Sequence, residues 1–201
     1  MDEKEKKSEN EKVLEFPSLE LLEGALEKER DKNSFSHMLR NTFFSLLVVA
    51  AVAVLVVVLV MPVFQITGTS MTNTLQDGDV VLAVKSNNYR PGDMIAFYYN
   101  NDILIKRVIA VSGDWVEIDQ DGMVYVNNEA LDEPYVREHA LGDCNIDMPY
   151  QVPDGCFFVM GDHRATSIDS RNKTVGCVSG QMIAGKLLLR IWPLAEIKWL
   201  W

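Results

Sequence analysis

Three polar stretches of this 201-residue chain carry side chains that could do chemistry. In "TGTSMTNTLQDGD" (residues 67–79), Ser70 follows Gly68 and Thr69 on a segment that reads as a loop. A serine placed this way can act as a nucleophile, and reads equally as a turn residue whose hydroxyl bonds to nearby backbone. In "DILIKRVIAV" (102–111), Lys106 and Arg107 stand among isoleucines, leucines and valines. Strand alternation puts Lys106 on one face with Leu104 and Val108, and Arg107 on the other with Ile105 and Ile109. Three readings of Lys106 are open: a long stem reaching the sheet edge, a buried ion pair, or a desolvated amine. Burial disfavours the ammonium and can bring a lysine pKa from about 10.4 to near neutrality. Such an amine can take a proton from a hydroxyl, which is what Ser70 needs to attack a carbonyl. The third stretch, "MGDHRATSIDSR" (160–171), is dense in hydrogen-bonding groups. Asp162, Asp169 and Arg171 are expected to cap and pair with one another as a rigid support, and Ser167 is short enough to hold a lysine amine. His37, His139 and His163 offer no better base, since none stands in a Ser–His–Asp pattern. No metal or organic cofactor is expected: the aspartates lack an EF-hand pattern and the cysteines form no CxxC pair.

The elements that must position these groups divide sharply. After Arg40 the next charged residue is Asp77, and "FFSLLVVAAVAVLVVVLVMPVF" (43–64) is apolar at nearly every position. At about 1.5 Å rise per residue it can cross the roughly 30 Å hydrocarbon core, with Pro62 marking its end. It is too long for the apolar region of a cleaved signal, so an uncleaved anchor is expected. Lys28, Arg30, Lys32 and Arg40 precede it, whereas the first basic residue after it is Lys85. The positive side stays in the cytoplasm. The predicted organisation is therefore a cytoplasmic tail over 1–42, a single-pass anchor over 43–64, and an extracytoplasmic domain over 65–201. Residues 1–16 read as a solvated charged run. In "PSLELLEGALEKERDK", Leu19, Leu22 and Leu26 share one helical face, which suits a short amphipathic helix or a polar tail with transient helix.

The domain after the anchor reads as mainly β. "DVVLAVK", "DMIAFYYN", "DILIKRVIAV", "DWVEID", "GCFFVMGD" and "MIAGKLLLRIW" are strand-like, and "DQDG" before "MVYVNNEAL" signals a hairpin. Residues 137–153 read as an irregular loop. The tail "IWPLAEIKWLW" sets Trp192, Trp199 and Trp201 beside leucines, which suits either a lipid–water boundary or, for Trp192, the core. The net charge of −10 argues against nucleic acid as a partner. Three cysteines leave one thiol without an intramolecular partner, and Cys144 and Cys156 are as readily reduced as bridged, with Cys177 remaining.

Taken together, Ser-Met after a membrane span, Gly-Asp-x-Val, Lys-Arg-Val-Ile, and Gly-Asp-x-Arg followed by Ser-x-Asp-Ser-Arg resemble the bacterial type I signal peptidases of the serine–lysine class. The resemblance covers roughly residues 43–195, in order. It implies a β-rich catalytic domain with a small accessory β-region on one N-terminal transmembrane helix in the cell membrane. It implies an endopeptidase that removes signal peptides from exported preproteins after a small-x-small sequence, close to a phospholipid membrane and to the secretion translocon. Carried over by residue, Ser70 is the nucleophile and Lys106 the general base. Ser167 orients the lysine; Asp162, Arg164, Asp169 and Arg171 support the site; Met71 lies beside the substrate pocket. Some members carry a serine at the position of Gly68 that donates to the oxyanion; here backbone N–H groups, including that of Ser70, must serve. Other departures are Asn73 for the common proline and His163 for the common asparagine. Two rival readings are a peptidase specialised for pilins or another exported set, and an inactive anchored β-domain serving as an assembly scaffold.

Overall fold

The structure, a computed structural model, describes residues 18–200. The charged run of residues 1–16, Pro17 and Trp201 lie outside the described residues, as does the side chain of Leu26. The chain divides into two compact units, one up to Val54 and one from Leu55 onward.

The described part of the first unit belongs to α1 (Leu19–Val60), whose last residues fall in the second unit; it is one continuous helix in place of a separate amphipathic segment and anchor. Ser18 starts it by accepting from the Leu21 and Leu22 N–H groups, and Glu20 places an acidic group in the first turn, where the helix dipole favours it. Leu19 and Leu22, assigned to an apolar stripe, are exposed. From Phe35 to Val57 the helix is long and apolar enough to cross a membrane, and all its side chains are exposed. Valine is a modest helix former in water, but in hydrocarbon every backbone group must be satisfied within the segment, which a helix achieves. Helix was expected to end near Pro62, and it ends at Val60. Val63 and Phe64, counted with the anchor from sequence, instead belong to strand β1 (Val63–Gln65), because Pro62 cannot continue the helical ladder and the next residues pair with a neighbouring strand.

The second unit is built from two antiparallel sheets. Its strands are β1, β2 (Val80–Val84), β3 (Met94–Tyr99), β4 (Asp102–Val111), β5 (Trp115–Ile118), β6 (Val124–Val126), β7 (Glu129–Ala130), β8 (Tyr150–Gln151), β9 (Cys156–Met160), β10 (Val178–Ser179), β11 (Ile183–Trp192) and β12 (Lys198–Trp199). The larger sheet runs β1-β2-β11-β3-β4-β9-β10, with β12 also on β11; the smaller runs β7-β6-β5-β8. The smaller sheet is the accessory β-region, and its core of Val116, Val124 and Val152 is continuous with Phe158 and Met160 of β9. Residues 137–153 are irregular apart from β8, as expected.

Register in β4 decides the site. Asp102–Arg107 pair with Tyr99–Met94 of β3 on one side. On the other side β9 pairs only with Arg107–Val111. The Asp102–Lys106 half therefore has one edge without a partner strand.

Candidate active site

Ser70 sits in the loop between β1 and β2, on a turn anchored from both ends. Gly68 adopts φ +87°, a conformation that favours glycine, and its N–H donates to Asp77 Oδ1 at 2.8 Å. Met71 and Leu75, in the same turn region, drop into the core with Ile66, Val81 and Leu187, and so fix the loop to the sheet. The Ser70 carbonyl accepts from the His163 N–H at 3.0 Å, which ties the nucleophile loop to the polar stretch after β9. His163 also contacts the Thr72 hydroxyl through Nδ1 at 3.0 Å.

Lys106 reaches this loop from β4. Its Nζ lies 2.7 Å from Ser70 Oγ, and the residue is only 3% exposed. Burial pushes the Lys106 pKa below the ordinary lysine value. The charges of Asp169 and Asp162 oppose that shift and Arg171 adds to it, but desolvation is the largest cause. Of the three readings open from sequence, the edge-reaching stem is excluded by this burial, and the nearest polar partner is a hydroxyl rather than a carboxylate. Arg107 takes the ion pair instead. It grips Asp162 with Nε at 2.9 Å and Nη2 at 2.6 Å, donates to the Gly92 carbonyl, and lies 3.9 Å from the Tyr135 ring centre.

The polar stretch behind the site is a buried ionic array. Asp169 and Arg171 pair as expected, with Nε at 2.9 Å from Oδ1. Asp162 does not join them. It pairs with Arg107 and accepts from Thr74, because strand alternation turns Arg107 away from Lys106 and onto Asp162. Arg164 pairs with Glu133, and Arg171 also donates to the carbonyls of Ala140, Leu141 and Arg164. Ser167 is buried with its hydroxyl unpartnered among the described residues; it makes no hydrogen bond to Lys106. Glu133, Tyr135, Thr74 and Asp77 were missed from sequence. Glu133 and Tyr135 stand in "LDEPYV", where an acid beside a proline reads as any surface turn, and no local spacing links them to Arg164 or Arg107. The three cysteines are unbridged, and Cys156 lies against Cys177 rather than Cys144. Burial and the Cys177 thiol push the Cys156 pKa up to about 11.

Ser70, Lys106, Gly68 and Met71 all line one cavity of about 570 Å³, together with residues 64–67 and 101–105. The unpaired half of β4 forms one wall and the segment around Ile66 the other. Gly161 packs closely against the Ser70 loop: a Cβ there would meet Ser167 Oγ at 2.2 Å and the Ser70 carbonyl oxygen at 2.6 Å. Gly161→Ala is therefore expected to displace the Ser70 loop by more than its hydrogen bonds tolerate. Cleavage should fall at least about 100-fold, the scale expected when reacting groups shift by about 1 Å, as measured by initial rates on a preprotein.

Residues 39–192 match the sequence profile of a family described as "Signal peptidase, peptidase S26". The chain belongs to this signal peptidase family. Its relatives include signal peptidase IB of Staphylococcus aureus (strain MRSA252), 36% identical over 156 residues, which are 68% of this chain and 80% of the relative. Thylakoidal processing peptidase 1 of Arabidopsis thaliana chloroplasts is 35% identical over 149 residues, 66% of this chain and 42% of that protein. A solved signal peptidase I from Enterococcus faecalis V583 is 28% identical, with a TM-score of 0.42 over 51% of this chain and 99% of that one. As a signal peptidase of the S26 family, the chain is a serine endopeptidase that removes signal peptides from preproteins. The specialised and inactive-scaffold readings gain no support from these relatives. The apolar helix and the signal peptidase relatives together point to membrane anchoring.

Proposed function

We propose that Ser70 is the nucleophile and Lys106 the general base of this signal peptidase, and the observation that carries the reading is the 2.7 Å contact between their reacting atoms inside a desolvated site. The neutral amine accepts the Ser70 hydroxyl proton as Oγ attacks the scissile carbonyl carbon. The resulting ammonium passes that proton to the leaving amine, the C–N bond breaks, and the mature protein departs with a free N-terminus. The signal peptide remains as an ester on Ser70. Water then attacks that ester and gives a proton to Lys106, and collapse returns a proton to Ser70 Oγ and releases the peptide carboxylate. The Ser70 N–H, which has no acceptor among the described residues, is the donor available to the oxyanion. The Gly68 N–H is engaged by Asp77 and is not available.

The substrate lies as an extended strand along the open edge of Asp102–Lys106, since main-chain addition to a free edge gives affinity without sequence demand. Ser167, Asp162, Arg164, Asp169 and Arg171 support the dyad by position, Ser167 through its buried hydroxyl once the amine turns towards it, and Met71 lies beside the substrate pocket. The tail of residues 1–42 faces the cytoplasm and the domain from residue 65 onward faces outward beside the translocon, a reading that rests on Lys28, Arg30, Lys32 and Arg40 before the span. Labelling by a serine-reactive penem tests the assignment. Stoichiometric acylation of the wild type, lost in Ser70→Ala, is expected; labelling that persists in Ser70→Ala would place the nucleophile elsewhere.

A further inference from the structure

A second cavity, of about 890 Å³, shares no lining residue with the substrate groove. Its wall carries Arg90, Arg107, Arg137, Lys186 and Lys198, and one acid, Asp93. Two of the five cations are already matched: Lys186 pairs with Asp93 at 2.6 Å, and Arg107 with Asp162. Arg90, Arg137 and Lys198 are exposed and have no carboxylate within ion-pair distance among the described residues. These three come from distant parts of the sequence: the β2–β3 connection, the segment after β7, and β12. On a chain of net charge −10, three like charges brought to one concavity raise a local positive field that a bound anion would relieve.

The surroundings say which anion. Lys198 lies in the terminal segment that also exposes Leu194, Ile197 and Trp199, the last 60% exposed. Trp199 itself lines the cavity. Exposed aliphatic and indole groups next to a cationic hollow match an amphiphile with an anionic head and an apolar body. We propose that this cavity binds the phosphate of an anionic phospholipid headgroup, held by Arg90, Arg137 and Lys198, with Leu194, Ile197 and Trp199 against its apolar part. This goes beyond the peptidase reading and depends only on the chain working at a membrane. It assigns lipid contact to the catalytic unit itself, in addition to α1.

The test uses the full chain in neutral detergent and a short-chain, water-soluble phosphatidylglycerol below its micellar concentration, with binding followed by thermophoresis. Saturable binding is expected, weakened by salt and absent for the matching phosphatidylcholine, whose headgroup has no net charge. Arg90→Ala, Arg137→Ala and Lys198→Ala should each weaken it about fivefold, the effect of about one surface cation on an anionic lipid, and the triple variant should lose it. The same variants should keep full penem labelling at Ser70, so a loss of fold is told apart from a loss of site. Equal binding of the two lipids, or undiminished binding by the triple variant, overturns the proposal. Equal affinity for inorganic phosphate overturns the lipid source, and preference for an acidic peptide overturns it in favour of a protein ligand. Because detergent-bound chain is used, membrane insertion by α1 can fail without affecting this result.

Discussion

Substituting Lys106 by methionine is expected to reduce signal-peptide cleavage to background while leaving the folded domain at least as stable as before. The two effects have one cause. The amine is buried against Ser70 with no carboxylate in hydrogen-bond contact, so the native state carries an incompletely compensated ammonium whenever Lys106 is protonated. Methionine fills similar space without that cost, and replacing a buried charge by an apolar group of matching volume is often neutral or stabilising. Loss of the base removes about 10²–10⁴ in rate, and more where two groups act as a unit.

The pH dependence has a definite sign. Burial lowers the folded-state pKa of Lys106 below its unfolded value. Between those two values the unfolded chain holds a proton that the folded chain has released, so unfolding free energy rises with pH in that window. Below the folded pKa both states are protonated and the cost of burial is fully present. Above the unfolded pKa both are neutral and the cost is absent. Denaturant midpoints measured from neutral to alkaline pH should climb for the wild type relative to Lys106→Met. The acid limb of the wild-type rate profile should lie below the ordinary lysine value. Full activity in Lys106→Met, or parallel stability profiles for the two proteins, would sink the role assigned to this residue.

Arg171→Ala is expected to have the largest effect on stability. The guanidinium is fully buried and serves the Asp169 carboxylate and the carbonyls of Ala140, Leu141 and Arg164. Truncation leaves the buried Asp169 carboxylate without its counter-charge, held only by the backbone N–H groups of Gly161 and residue 171, and leaves several buried carbonyls without a donor. Breaking one member of a buried pair costs about 3–5 kcal/mol, against a total of about 5–15 kcal/mol for a typical domain. The midpoint in urea should drop sharply, and hydrogen exchange should rise first in the segment around Ala140 and Leu141, which Arg171 holds to the stretch after β9. The double substitution Asp169→Asn with Arg171→Met removes both charges, and it should recover part of the loss. If Arg171→Ala unfolds no more readily than the wild type, the array is not structural.

What the sequence made legible was whatever depends on neighbours along the chain. Strand alternation alone put Lys106 and Arg107 on opposite faces, and the structure gives them the different partners Ser70 and Asp162. The apolar run was legible because no soluble segment is so long without a charge. The β-rich domain followed from valine, isoleucine and aromatic runs between Gly-Asp and Asn-Asp turns. Partnerships between distant residues were not legible. Nothing local says that Asp162 answers Arg107 rather than Arg171, or that Glu133 is an interior anion, since both depend on how the sheet brings β4 and β9 together. The boundary between helix and strand at Met61–Pro62 was off by a few residues for the same reason: β1 exists because β2 is there to pair with it.

Strand β4 is closed along one half and open along the other. Arg107 is paired with both β3 and β9, Val108 also exchanges backbone bonds with Gly92 and Asp93 while β9 pairs it on the other side, and that grip sets the alignment of Asp102–Lys106 as well. A slip of one residue would turn Arg107 towards the serine and Lys106 away from it, exchanging every side chain between faces. The point clamped from both edges, at Arg107 and Val108, therefore works as the fixed end of a ruler. A peptide laid along the free half is measured from a mark that the peptide cannot move, so the position of the cut is a property of the sheet before any side chain of the substrate is recognised.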